Sequence, residues 1–142
     1  MAEVETLPQT SMEEVRPLML QLLKGDRELL GEIRPSFAGE NVILVVREAE
    51  EVVAMCWCAI WDPGTGLEGE VAEVFVSPPH RGKGLARDLL RAAVDLFRRR
   101  NVTFACVWTT PDNDAALRLY RSAGFSPTDQ AVLTWLPSGP GA

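Results

Sequence analysis

Val76-Ser77-Pro78-Pro79-His80-Arg81-Gly82-Lys83-Gly84-Leu85-Ala86 joins the end of a β-branched run to the start of an amphipathic helix, with two glycines at the junction. Upstream, Leu67–Val76 reads as a strand. Its alternation puts Glu68, Glu70, Ala72, Val74 and Val76 on one face and Leu67, Val71, Glu73 and Phe75 on the other. Downstream, Leu85, Ala86, Leu89, Leu90, Ala93, Val94 and Phe97 follow the helical repeat, and Arg87, Asp88, Arg91, Asp95 and Arg98 fill the polar side. A helix that starts from a glycine turn presents unpaired N–H groups and a partial positive charge, which suits phosphate oxygens. Arg81, Lys83 and Arg87 add countercharge, so a pyrophosphate-bearing ligand is the natural guest. Two nucleotide motifs are excluded. Lys83 is followed by Gly84 and Leu85, not by the Ser/Thr of a Walker loop, and Arg87 stands where a dinucleotide fingerprint needs its third glycine.

Before this stretch, Ser11-Met12-Glu13-Glu14 has capping-box spacing ahead of Leu18, Leu22 and Leu23, with Pro17 making the helix start ambiguous. A short second helix is expected over Asp26–Ile33, stopping before Pro35. Val42–Val46 and Val52–Trp61 read as strands joined through the polar turn Glu48–Glu51, and Asp62–Gly66 as a loop. Beyond the long helix come a strand over Val102–Trp108, a helix over Ala115–Ala123 capped by Pro111–Asp114 and ended by Gly124, and a last strand over Ala131–Trp135. The order implies a mixed α/β sheet with helices on both faces. Residues 1–136 are expected to form one domain and residues 137–142 a flexible tail.

The chain has 142 residues, of which 46% are hydrophobic and 24% charged, which suits a soluble globular domain and argues against wholesale disorder. No apolar run approaches the ~20 residues of a membrane span, and the acidic N-terminus has no secretory h-region, so the cytoplasm is the expected location. Three cysteines and a single histidine make a poor disulfide framework and a poor zinc site. All three cysteines are expected as small buried hydrophobes, and no metal is expected. The net charge of −6 is divided: residues 1–80 hold fifteen acidic and five basic side chains, residues 81–142 five acidic and nine basic. Such a field suits an anionic ligand on one side and a cationic one on the other. A nucleic-acid partner is not expected from a chain of negative charge with no basic aromatic groove.

Arg81-Gly82-Lys83-Gly84-Leu85-Ala86 resembles the Arg/Gln-x-x-Gly-x-Gly/Ala signature of the GNAT superfamily of N-acetyltransferases, and Val74-Phe75-Val76-Ser77-Pro78 the strand that precedes it. Asn113-x-x-Ala116-x-x-Leu119-Tyr120-x-x-x-Gly124-Phe125 is similar to the superfamily's second signature, in the right order and with a strand between the two. The clear likeness spans about Glu70–Pro127; Pro78-Pro79-His80 departs from the usual Pro-acidic-aromatic stretch. The resemblance implies a mainly antiparallel mixed sheet with a splayed cleft for acetyl-CoA, and direct acetyl transfer to a primary amine. It implies that the backbone of Val74, Phe75 and Val76 pairs with the pantetheine arm. The amides of Gly82, Lys83, Gly84, Leu85, Ala86 and Arg87, with the Arg81 side chain, would hold the pyrophosphate, and Asn113 would touch the pantetheine region.

A thioester is already activated, so no enzyme nucleophile is needed. Deprotonating an amine of pKa near 10.4 at pH 7 costs about 4.6 kcal/mol, and a carboxylate is the usual acceptor. The resemblance places Tyr120 as the acid that meets the departing thiolate and Glu70 as the base, with Glu73, Glu68 or a solvent route as alternatives. The acidic first half favours a cationic acceptor: a small polyamine- or aminoglycoside-like molecule, an amino-acid derivative, or a protein N-terminus or lysine. Glu32, Glu40 and Glu48–Glu51 are either recognition groups or solvated charge. Trp57 and Trp61 share a strand face and are expected in the core sooner than in a cleft. A non-catalytic acyl-CoA-binding module is the alternative function. Self-association is open, with Ala131–Leu136 either pairing across a homodimer interface or ending the sheet.

Overall fold

The structure, a computed structural model, describes residues 1–8, 13–25, 39–61 and 67–138. Five strands form one sheet in the order β1 (Val4–Leu7), β2 (Glu40–Glu48), β3 (Glu51–Trp61), β4 (Glu68–Val76) and β5 (Phe104–Val107). The first three pairings are antiparallel and β4–β5 is parallel. The described helices are α1 (Arg16–Leu22), α2 (Leu85–Arg99) and α3 (Asp114–Ser122), and the expected mixed α/β sheet stands.

Each face of the sheet has its own core. Cys56, Cys58, Ile60 and Val71 pack against Leu85, Leu89, Leu90, Ala93, Leu96 and Phe97 of α2. On the other side Met55 and Trp57 meet Leu18 and Met19 of α1. Because β3 is covered on both sides, Val53–Ile60 is buried without interruption and shows no polar alternation. Cys56 and Cys58 are part of this interior, with sulfurs 3.8 Å apart, whereas Cys106 is only half-buried. Gly69 lets α2 sit close to the sheet, since a Cβ there would fall 2.8 Å from the Phe97 ring.

Several local readings are refined. The β2–β3 turn is Ala49-Glu50, both at positive φ (49° and 69°), a primed hairpin turn made without glycine. Pro17 falls in the first turn of α1, where its missing N–H breaks no helical bond. Ser11 and Met12 of the capping box, the helix expected over Asp26–Ile33, and the loop Asp62–Gly66 lie outside the described residues, as do residues 139–142. The sequence reading missed β1, whose Val-Glu-Thr-Leu is short and half polar because it is an edge strand. Its Glu5, together with Glu14, pairs with Arg47 of β2.

The expected strand over Ala131–Trp135 is corrected. Residues 131–136 make no ladder, and the sheet ends at β5 among the described residues. The apolar, β-branched composition is right for a strand, but a strand exists only where an edge receives its backbone groups. Here the segment stands away from the free edge of β5.

Candidate active site

The site begins where two parallel strands part. β4 and β5 are in register from Glu68–Phe104 to Val71–Val107 and no further. Beyond that point Val74, Phe75 and Val76 keep Cys56, Met55 and Ala54 as partners on one side and, among the described residues, have no strand on the other. A cleft of about 520 Å³ opens there, between the Val74–Val76 edge, the glycine turn with the start of α2, and one face of α3. Its size is that of a ligand pocket, and its free strand edge offers main-chain donors and acceptors to an amide-bearing chain.

The turn leaves backbone amides open at the start of α2. Gly82 and Gly84 both have φ of 80°, and nothing lies within 4 Å of where a Cβ would sit on either. Glycine is required for the conformation and leaves open the space that a ligand would fill. Gly84 is the N-cap of α2 and no side chain caps the helix. The first helical bond runs from the Asp88 N–H to the Gly84 carbonyl, 3.1 Å, which leaves the amides of Leu85, Ala86 and Arg87 without intrahelical acceptors.

The charged side chains of the turn have different tasks. Arg81 lies over the Phe75 ring, 5.4 Å from its centroid, and its Nε donates to the Val76 carbonyl at 3.0 Å, so it braces the strand edge at the mouth of the cleft. Lys83 does not line the cleft. Its Nζ is 3.4 Å from Glu48, whose other oxygen lies 2.8 Å from His80 Nδ1. Lys83 thus ties the turn to the end of β2, while His80 Nδ1 lies beside the same carboxylate without a hydrogen bond to it among the described residues.

α3 closes the cleft. Asn113 Oδ1 accepts from the Ala116 N–H at 3.1 Å, so its carbonyl caps the helix and its amide NH2 is left for the cleft it lines. Ala116, Leu119 and Tyr120 follow Asn113 at the i+3, i+6 and i+7 positions, a helical stripe that turns all four toward the same space. Of these, Ala116 and Leu119 were legible only as members of the second signature, although their spacing carries the signal. Tyr120 is half-buried, stacks edge-on with Phe125 at 6.4 Å, and lines the cleft. Loss of solvation, then the neighbouring Cys56 and Glu73, raises its pKa above the ordinary phenol value. The hydroxyl therefore stays protonated throughout the neutral range, as a proton donor requires.

The carboxylates are arranged differently from the strict alternation. Trp57 pairs with Glu73 and Cys58 with Val71, so Ala72 is an extra residue, a β-bulge. The bulge reverses the parity. Glu70, opposite Ala59, and Glu68, opposite Trp61, share the Trp57 face with Glu73, while Val74 and Val76 belong to the α2 side. The expectation that Glu70 shares a face with Val74 and opposes Glu73 is thereby overturned. Neither Glu70 nor Glu68 lines the cleft; both act electrostatically on Cys106, and Glu73 is the carboxylate whose charge reaches Tyr120. Glu73 retains solvent contact, yet partial loss of solvation raises its carboxyl pKa. Trp57 is a core residue, its Nε1 donating to Asn41 Oδ1 at 3.0 Å, and Trp61 is half-exposed. Glu40 is paired with Arg100 and Glu48 with Lys83 of the turn. Glu32 lies outside the described residues.

A raised folded-state pKa means that the ionised Glu73 weakens the native state once the pH exceeds its unfolded value. Glu73→Gln is therefore expected to raise Tm modestly at pH 7, with the gain disappearing as pH falls below about 4. Thermal scans at the two pH values check this; an equal Tm at pH 7 would refute it.

Parted parallel strands, a strand edge left free between them and an uncapped glycine turn beside that edge define the architecture of this site. Residues 7–125 match the Acetyltransferase (GNAT) family, and the chain belongs to that family. It is 30% identical over 104 residues to a mycothiol acetyltransferase of Renibacterium salmoninarum, covering 72% of this chain and 31% of the relative. It is also 50% identical over 59 residues to the N-alpha-acetyltransferase RimI of Mycobacterium tuberculosis, covering 42% of this chain and 35% of that protein. The chain spans about a third of the length of these curated relatives. Among solved structures it shares its fold with AAC(6')-Iy bound to the bisubstrate analogue CoA-S-monomethyl-acetylneamine. The TM-score is 0.74 at 18% identity, covering 96% of this chain and 98% of that one. Among the described residues no helix is long and apolar enough to cross a membrane, and no three His, Cys, Asp or Glu converge as metal ligands.

Proposed function

We propose that this chain is an acetyl-CoA-dependent N-acetyltransferase that passes the acetyl group directly to a primary amine of a small cationic molecule or of a protein N-terminus or lysine. The observation that carries the reading is the free Val74–Val76 edge, lining one continuous cleft together with the uncapped start of α2 and Tyr120. The residues fit acetyl-CoA, which supplies an activated acetyl thioester when bound. The amides from Gly82 to Arg87, with Arg81, hold the pyrophosphate; the β4 edge and the Asn113 amide pair with the pantetheine arm.

Two proton transfers fall to this chain. Glu70, which lies outside the cleft lining, accepts the amine proton through a bound water as the N–C bond forms, with Glu73 and Glu68 on the same face as the alternatives, and the Tyr120 hydroxyl gives a proton to the thiolate as the C–S bond breaks. Burial, with smaller contributions from Cys56 and Glu73, favours the protonated form of Tyr120. Glu68, Glu70 and Glu73, on one face and with no ion-pair partner among the described residues, support a cationic acceptor.

Thermal unfolding with acetyl-CoA, CoA, ATP or a DNA duplex tests the reading. A ligand at ~100 times its Kd adds about 2.7 kcal/mol, several degrees for a chain of this size. Shifts with both CoA species but not with ATP or DNA, followed by thiol release in an amine panel, are the expected result. A shift without turnover of any amine would instead mark a non-catalytic acyl-CoA-binding module, and no shift at millimolar CoA would reject both.

A further inference from the structure

His80 is the chain's single histidine, and it lines the cleft at the glycine turn. A 3-10 turn, Pro78–His80, sets it there, with its N–H donating to the Ser77 carbonyl at 2.9 Å. Its Nδ1 is closed to solvent, has no hydrogen bond among the described residues, and lies 2.8 Å from Glu48 Oε2. Nitrogen and carboxylate are at ion-pair distance but not joined. A bare ring lone pair so near a carboxylate oxygen is repelled, whereas a proton on the ring turns the same contact into a charge-assisted bond. With Nδ1 turned to β2, the ring's other nitrogen, Nε2, is the polar atom left for the cleft.

We propose that His80 is a proton-operated ligand for the coenzyme phosphates, held in place by Glu48, so that coenzyme affinity rises as the pH falls through the range in which an imidazole gains its charge. The inference rests on the acetyl-CoA reading above. A neutral ring carries one hydrogen and can satisfy either Glu48 or a phosphate oxygen. The cation carries two, Nδ1–H for the carboxylate and Nε2–H for the phosphate, and satisfies both. The neighbouring charges do not supply this. Lys83 is drawn to Glu48 at 3.4 Å, and Arg81 is held over Phe75 with its Nε on the Val76 carbonyl. Those two cations of the turn and Glu48 of β2 are the charged groups around the ring. α1 reaches this end of β4 through the uncharged Gln21, whose Oε1 accepts from Ser77 Oγ at 3.2 Å, and α3 faces the cleft with Asn113. Contact with Cys58 and burial push the Cys56 thiol up, and loss of solvation raises Cys106 and Tyr120, so none of the three competes in this range.

Calorimetric titration of the full chain at pH 5.5 and pH 8 tests the proposal. The ligand is 3′-dephospho-CoA, which keeps the pyrophosphate but lacks the terminal phosphate that would itself titrate near pH 6. The parent is expected to bind about tenfold tighter at pH 5.5, the gain of one hydrogen bond to a charged group. His80→Gln is expected to bind equally at both pH values, near the parent's affinity at pH 8. A single histidine gives a single imidazole Cε1–H resonance, so the ring can also be followed in the unaltered protein. By reciprocity, saturating ligand is expected to raise the midpoint of its titration by about one pH unit. Parent affinity independent of pH, a pH dependence that survives in His80→Gln, or a midpoint unmoved by ligand would each overturn the role of His80 while leaving the coenzyme site standing. No binding of any CoA species at either pH would overturn both.

Discussion

Tyr120→Phe is expected to lower kcat roughly 10²–10³-fold, with the KM for acetyl-CoA changed less than about threefold and Tm within about 1 °C of the parent. The substitution removes one oxygen. The ring keeps its edge-on contact with Phe125, and the phenol makes no hydrogen bond among the described residues, so nothing buried is left unpaired. What is lost is a donor that burial and Glu73 hold in its protonated form. The parent is accordingly expected to show no alkaline fall in kcat below about pH 10 that belongs to this group. An acetyl thioester of a more acidic thiol needs less help in leaving, so it should narrow the gap between parent and variant. Glu70→Gln is expected to cost a similar factor at pH 7, shrinking as the pH approaches the pKa of the amine. Steady-state kinetics decide the matter. A Tyr120→Phe enzyme within fivefold of the parent kcat would remove the tyrosine from the chemistry and leave the thiolate to solvent.

Leu89→Ala is expected to destabilise the fold by about 3–4 kcal/mol, or roughly 10 °C in Tm. Leu89 is fully buried in α2, in the same core as Cys56, Cys58, Val71 and Phe97. Its removal strips three carbons of their contacts, and β3 and β4, hydrogen-bonded on both sides of Cys56 and Cys58, offer little freedom to collapse into the space. The same helix carries the glycine turn at its N-terminus, so loosening it should weaken acetyl-CoA binding several-fold while kcat at saturation stays near the parent value. Urea denaturation followed by circular dichroism measures the first effect and a KM series the second. A loss below about 1 kcal/mol would show that the sheet and α2 close over the vacancy.

Much of the architecture follows from local chemistry. The period of α2 announces its buried face, the β-branched runs announce β2, β3 and β4, and two glycines before an amphipathic helix announce an anion site whatever the ligand. Cleft residues within these patterns, from Val74–Val76 through Gly82 and Gly84–Arg87 to Asn113 and Tyr120, were legible because each depends on its neighbours in sequence, whereas Lys83 was read into the cleft and lies outside its lining. β1 was not, because an acidic four-residue edge strand exists only by pairing with β2 and by ion pairs to Arg47. The last strand was read where none forms, because composition states what a segment can pair with and not whether an edge is within reach.

The sequence by itself determined the fold family, the glycine turn at the start of α2 and the tyrosine on the cleft face of α3, since each is a local pattern whose physics acts over a few residues. Only the tertiary structure decided which carboxylates share a face of the sheet. Ala72 has nothing in its own chemistry to mark it as a bulge; it becomes one because Trp57 and Cys58 of the neighbouring strand pair with Glu73 and Val71 and pass it over. That single extra residue turns Glu68 and Glu70 to the side of Glu73, because side-chain direction in a strand is set by the ladder across from it and not by counting along the chain.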